Sequence, residues 1–203
     1  MKTENLLGLI NSLPTTQSRR LIAVAGPPAG GKSTLAEQLA TDLPNAEVVP
    51  MDGFHLGNEV LSACGLLARK GAPQTFDVDS FVELVRALAE PVEVTYPTFD
   101  RGRDCVVPDG GRVKASCETV IVEGNYLLLD AAPWNKLRRL WDASFFLDVP
   151  FDILRDRLLA RWRDHGYSEQ DALKKAEMND LPNAELVMNS AVNATHVISF
   201  PPR

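Results

Sequence analysis

The sequence predicts an α/β fold, a parallel sheet with helices on both faces. Two observations carry the prediction. Short apolar runs bounded by turn residues alternate along the chain with segments whose apolar residues recur at helical spacing. The first such pair, Leu21–Ala25 and Thr34–Ala40, is joined by Gly26-Pro27-Pro28-Ala29-Gly30-Gly31-Lys32-Ser33. That octet satisfies every fixed position of G-x-x-x-x-G-K-[ST], in the strand–loop–helix context that the pattern requires.

Taken in order, residues 2–13 read as a helix, followed by a Pro14-to-Ser18 connection. Leu21–Ala25 is a buried strand and Thr34–Ala40 a helix. Glu47–Met51 is a second strand ending at Asp52. A helix covers Asp79–Glu90, capped by Asp79 or Ser80, with Phe81, Leu84, Val85 and Leu88 on one face. Val92–Tyr96 alternates as a strand that Pro97 stops. Cys105–Val107 and Val113–Ala115 read as a small hairpin turning at Pro108-Asp109-Gly110-Gly111. Thr119–Val122 is a buried strand ending at Glu123-Gly124, and Ala143–Val149 is another. Phe151–Asp164 is a helix with Leu154, Leu158 and Trp162 as its apolar stripe. Helical stretches at 168–178 and 182–194 and a strand at His196–Phe200 close the chain.

With 203 residues, 45% hydrophobic, the chain can bury one substantial core, and a single domain over 1–203 is expected. A formal net charge of −6 argues against a nucleic-acid-coating surface. No apolar run approaches the ~20 residues of a membrane span, so no membrane insertion is expected. Cys64, Cys105 and Cys117 form no C-x-x-C pair and read as reduced thiols, which points to the cytoplasm.

The octet implies a nucleoside triphosphate site. Glycines at 26, 30 and 31 let backbone N–H groups turn inward, and the following helix start favours bound phosphate. Gly26, Ala29, Gly30, Gly31, Lys32, Ser33 and Thr34 are the expected nucleotide contacts. Lys32 reaches the outer phosphates and the Ser33 hydroxyl holds Mg²⁺. Ligands of parallel sheets gather at the carboxyl ends of the strands, where Asp52 and Glu123 both fall. Phosphoryl transfer to an alcohol needs a proton acceptor and a metal-orienting group, and these two carboxylates can divide the tasks. The arginine-rich helix 151–164 breaks at His165-Gly166-Tyr167 and restarts at Ser168, the pattern of a phosphate-covering lid over about 155–178. Arg161 and Arg163, nearest the break, are its candidate phosphate ligands. His55 either contacts the acceptor or is structural. Arg69 and Lys70 meet a phosphorylated substrate or solvent.

A GTP-driven switch is excluded by pattern. No Asp is followed by Gly three residues on, and Asn135-Lys136-Leu137-Arg138 ends in the wrong charge for a guanine reader. An NTPase or nucleotide-dependent regulatory protein without a small-molecule acceptor stands as the reading from another class.

Together these features resemble the uridine kinase, phosphoribulokinase and pantothenate kinase group. Several stretches are similar to its bacterial branch of sugar (fructose) transport system kinases. They are Met51-Asp52-Gly53-Phe54-His55-Leu56, Arg69-Lys70-Gly71-Ala72-Pro73, Thr75-Phe76-Asp77, Tyr96-Pro97-Thr98-Phe99-Asp100-Arg101, Val122-Glu123-Gly124-Asn125-Tyr126-Leu127-Leu128-Leu129 and Asn179-Asp180-Leu181-Pro182-Asn183-Ala184. The resemblance implies a P-loop NTPase fold and an ATP- and Mg²⁺-dependent kinase acting on a small-molecule hydroxyl, a sugar such as fructose. Nucleoside and pantothenate acceptors are the alternatives. It implies that Asp52 is the base, that Lys32 and Ser33 hold phosphates and metal with Lys32 assisting transfer, and that Arg163 belongs to the lid, which leaves the metal-orienting task of the second carboxylate to Glu123. It also implies that 92–115 is a substrate-side excursion bringing Tyr96, Asp100 and Arg101, with His55, to the acceptor. Phe99 stands where uridine kinases carry a tyrosine, which removes a hydroxyl suited to a nucleoside. A homodimer is compatible with this reading.

Overall fold

The computed structural model describes residues 3–13, 18–190 and 194–199. Five strands form the main sheet: β1 (Arg20–Ala25), β2 (Ala46–Pro50), β5 (Thr119–Gly124), β6 (Ala143–Asp148) and β7 (His196–Ser199). All pair in parallel, in the order β2-β5-β1-β6-β7. The alternating side chains of β1 divide the interior into two cores. Leu21, Ala23 and Ala25 face a cluster built around Phe81, Val85 and Trp134. Ile22 and Val24 face a second cluster containing Leu6, Ile10, Ala36 and Leu39. The sheet is thus the middle of three layers, the α/β arrangement expected from the sequence. Its strands are near-continuous apolar runs because both faces are covered.

The helices are α1 (Thr3–Ser12), α2 (Lys32–Asp42), α3 (Asn58–Ala63), α4 (Val78–Ala87), α5 (Phe151–Asp164), α6 (Glu169–Lys175) and α7 (Leu181–Ser190). A π turn, Ala176–Asp180, joins the last two. The parts of the expected elements at residue 2, at 14–17, at 191–193 and at Phe200 lie outside the described residues.

Three local expectations are corrected. Helix α4 is capped by Asp77, whose carboxylate accepts the Ser80 N–H, and not by Asp79 or Ser80. Pro97 does not stop its strand. Strand β3 (Val94–Asp100) continues through it across a register shift between Tyr96 and Thr98, in a two-stranded ribbon where a missing N–H is tolerated. Cys105 to Val113 is one strand, β4, paired antiparallel with β3, so the hairpin turns at 101–104. Gly111 pairs with Tyr96 across the ribbon instead of forming a turn.

At the far end of the sheet, the fully buried Arg19 ties the ribbon and α4 to β1. Its guanidinium donates to the carbonyls of Cys117 (3.0 Å), Leu88 (3.2 Å), Val92 (3.0 Å) and Lys114 (2.8 Å).

Candidate active site

The parallel register brings three strand ends together. Val24 of β1 and Pro50 of β2 both lie opposite Glu123 of β5. The chain leaving β1 therefore forms the 26–31 loop beside Glu123, and the chain leaving β2 enters the 3-10 turn Met51–Phe54 that carries Asp52.

Within the loop, Ala29 (φ 60°) and Gly31 (φ 94°) adopt left-handed backbone. A non-glycine residue held there is strained, a cost tolerated where local geometry is imposed by function. Gly31 is the N-cap of α2 and supplies no side-chain cap, so the first N–H groups of the helix are left for a ligand.

Lys32 is buried and donates to the loop's own Pro27 carbonyl at 2.9 Å. Burial pushes its pKa below the ordinary lysine value, while the Glu123 and Asp52 carboxylates oppose the shift. Glu123 is buried as well, and its carboxylate accepts the Ser33 hydroxyl at 3.2 Å. Burial raises the Glu123 pKa, and the Lys32 ammonium opposes it. Each charge is thus held out of water with incomplete compensation, which costs several kcal/mol per ion. A polyanion would complete the surroundings of Lys32, and a hard cation those of Glu123 and Ser33.

The residues fit Mg²⁺ in that sense. Among the described residues no group of three His, Cys, Asp or Glu forms a self-contained metal site. A carboxylate and a hydroxyl are the oxygen donors with which Mg²⁺ is shared between protein and phosphates.

On the acceptor side, Asp52 pairs with Arg101 of the ribbon turn at 3.2 Å. Gly53 permits this approach, because a Cβ there would lie 1.8 Å from the Pro97 carbonyl oxygen. His55 places Nδ1 2.8 Å from the Asp52 backbone carbonyl, so Nδ1 carries the proton and Nε2 is an acceptor in the neutral ring. Its ring lies between those of Phe76 (4.1 Å) and Phe99 (4.7 Å), and burial lowers its pKa. Lys70 reaches over Phe99 and pairs with Asp104 at 2.8 Å.

Two expected acceptor contacts are engaged elsewhere. Tyr96 is buried and its hydroxyl donates to the Val48 carbonyl at 3.0 Å. Asp100 is held by the Arg103 backbone N–H (2.9 Å) and guanidinium (2.6 Å), which keep its carboxyl below the ordinary range.

Of the lid arginines, Arg161 approaches the buried Asp180 at 3.7 Å, and its charge is felt at Lys32. Arg163 is exposed and pairs with Glu169 at 3.3 Å. Sequence reasoning passed over Arg157, whose guanidinium donates to the Ala29 carbonyl of the loop at 3.1 Å. Its signal was the one-turn spacing from Arg161.

The family model described as the Phosphoribulokinase / Uridine kinase family matches residues 21–200. The chain belongs to the phosphoribulokinase/uridine kinase family. The "Uncharacterized protein YggC" of Escherichia coli K12 is 39% identical over 203 residues, covering 96% of this chain and 84% of that one. A Schizosaccharomyces pombe protein described as a "Putative uridine kinase" is 34% identical, covering 90% of this chain and 83% of its own length. Among solved structures, the "putative fructose transport system kinase" from Silicibacter sp. TM1040 superposes with a TM-score of 0.92 at 44% identity, covering 97% and 98% of the two chains. The likeness to this family's uridine, pantothenate and fructose-type kinases makes the chain a phosphate-loop kinase.

Proposed function

We propose that this kinase uses ATP and Mg²⁺ to phosphorylate a hydroxyl of a small sugar-like molecule, with fructose as the first candidate. The observation that carries the reading is the position of Asp52. Its carboxylate stands at the end of β2, next to the strand whose Glu123 meets Ser33, and beside a turn of the ribbon. In this reading Gly26, Ala29, Gly30, Gly31, Lys32, Ser33 and Thr34 cradle the triphosphate. Ser33 and Glu123 hold Mg²⁺, which supplies neutralisation of phosphate charge. Arg161 and Arg163 are assigned to the phosphates from the lid at about 155–178. Lys32 stabilises the charge that develops on the transferring group, and Asp52 accepts the acceptor's hydroxyl proton. Arg101 meets Oδ2 of Asp52 alone, which leaves Oδ1 to the acceptor. His55 Nε2 accepts from a second acceptor hydroxyl. Phe99, whose ring lies 4.7 Å from that of His55, lacks the hydroxyl expected of a nucleoside site.

The name of the 44% identical Silicibacter protein favours a sugar over uridine or pantothenate. Segment 92–115 acts as the substrate-side excursion of a single domain spanning 1–203, and the free cysteines suit a cytoplasmic enzyme. ATP consumption against a panel of sugars, sugar phosphates, nucleosides and pantothenate tests the assignment. Turnover on a sugar supports it. Turnover confined to uridine or pantothenate overturns the sugar assignment, and acceptor-independent ATP loss overturns the transferase itself.

A further inference from the structure

The segment Asn179-Asp180-Leu181-Pro182-Asn183 is unexplained by the site described so far. Pro182 sits at the second position of α7, and a proline ring collides with the carbonyl four residues earlier, that of Met178. The π turn Ala176–Asp180 relieves this collision by widening the helix. The released Met178 carbonyl accepts a bond from Arg69, and Asn179 Nδ2 donates to the Lys70 carbonyl at 2.7 Å. Asn183 Nδ2 donates to Asn179 Oδ1 at 3.3 Å. The turn is therefore tied down on both sides of Asp180.

Asp180 itself is buried. Its carboxylate accepts the Trp162 indole N–H and faces Arg161 Nη2 at 3.7 Å. Burial raises its pKa, and the Arg161 charge opposes that rise. Helix α5 packs against both this turn and the phosphate loop. Leu158, Ala176 and Leu181 form one apolar cluster, against which Ala29 and Trp162 pack. One turn before Arg161, Arg157 already donates to the Ala29 carbonyl.

We propose that Asp180 is a positioning residue, a fixed carboxylate that holds the Arg161 guanidinium beside the phosphate loop for the outermost phosphate of a bound triphosphate. This rests on the assignment of Arg161 to the phosphates. A guanidinium has five donors in a rigid fork, so one edge can face Asp180 while the others remain for phosphate oxygens. Free, the long side chain samples many rotamers. A carboxylate seated in a tied-down turn removes part of that freedom before the nucleotide arrives. The competing role, a plain structural bond to Trp162, needs no charge on Asp180. Asp180→Asn separates the two, because an amide oxygen still accepts the indole N–H.

The test is calorimetric titration of the β,γ-imido analogue of ATP, and of ADP, into the full chain carrying Asp180→Asn, Arg161→Gln, both, Trp162→Phe or Lys32→Ala. Asp180→Asn and Arg161→Gln should each weaken the triphosphate analogue about tenfold, or 1.4 kcal/mol, and ADP by less than about threefold. The double variant should bind no more weakly than Arg161→Gln alone. Trp162→Phe should leave the preference for triphosphate in place. An unchanged Asp180→Asn, an equal loss for both nucleotides, additive losses in the double variant, or the same selective loss in Trp162→Phe would each overturn the proposal. Lys32→Ala distinguishes the two levels of failure. If it binds normally, the phosphate-loop reading falls. If it fails to bind while Asp180→Asn is normal, only the role of Asp180 falls.

Discussion

Gly53→Ala is the substitution that most directly probes how the fold places Asp52. The added methyl would lie 1.8 Å from the Pro97 oxygen and 2.6 Å from the Pro97 carbonyl carbon, both backbone atoms of β3. Ordinary contact requires about 3.4 Å or more, so the 3-10 turn and the ribbon must separate by about 1.6 Å. Overpacking of this kind costs typically about 1–3 kcal/mol, which for a chain of this size lowers the melting temperature by about 2–12 °C. The functional cost exceeds the structural one. A misplacement near 1 Å at a reacting group reduces turnover about 10²-fold, because the near-attack arrangement is lost. The phosphate loop hangs from β1, not from β2, so affinity for a non-hydrolysable ATP analogue should change by less than about threefold. The assay is steady-state transfer to the acceptor found in the panel, beside calorimetric nucleotide binding and a thermal melt. Full turnover in Gly53→Ala, with an unchanged melt, would refute the claim that close packing of Gly53 on Pro97 sets the position of Asp52.

Arg19→Met removes a buried guanidinium that serves four carbonyls and sits at the opposite end of the sheet from the site. It should cost about 3 kcal/mol or more, lowering the melting temperature by about 6–12 °C, with nucleotide affinity of the folded protein unchanged. A normal melt would contradict this role. Glu123 gives a pH prediction with a definite sign. Burial raises its pKa above the ordinary 4.5, so the native state holds this proton more tightly than the unfolded chain does. The resulting stability is fully present below the unfolded value and is lost as pH rises through the native one. Wild type should therefore gain stability relative to Glu123→Gln as pH falls from neutrality toward the ordinary carboxylate value of 4.5. Parallel melting curves for the two proteins across that range would show that the carboxylate is not strained by burial.

The phosphate loop and the strand ends were legible in the sequence because each is local. A glycine-rich octet between an apolar run and a helix admits few other meanings, and a carboxylate just past a buried strand is already at the sheet's binding edge. Long-range pairing was not legible. Pro108-Asp109-Gly110-Gly111 has turn composition, yet the ribbon carries those residues within β4, with Gly111 across from Tyr96. The reversal instead uses Arg101-Gly102-Arg103-Asp104, with Asp104 at positive φ. Asp77, Asp79 and Ser80 are all acceptable caps by residue type, and only the start of α4 selects Asp77. Among the arginines of α5, Arg157 and Arg161 are one turn apart and alike by spacing. Which of them meets the loop depended on how α5 seats against Ala29 and Leu181. The roles of Arg19 and Asp180 come from contacts with segments distant in sequence, and no local pattern announces them.

In the proposed reaction Asp52 takes the acceptor's proton beside a triphosphate held by the 26–34 loop. Asp52→Asn tests it most directly, because the amide keeps an oxygen for Arg101 while losing basicity. The variant should bind the ATP analogue within about threefold of wild type and transfer phosphate about 10²–10⁴-fold more slowly. Transfer at near the wild-type rate would contradict it.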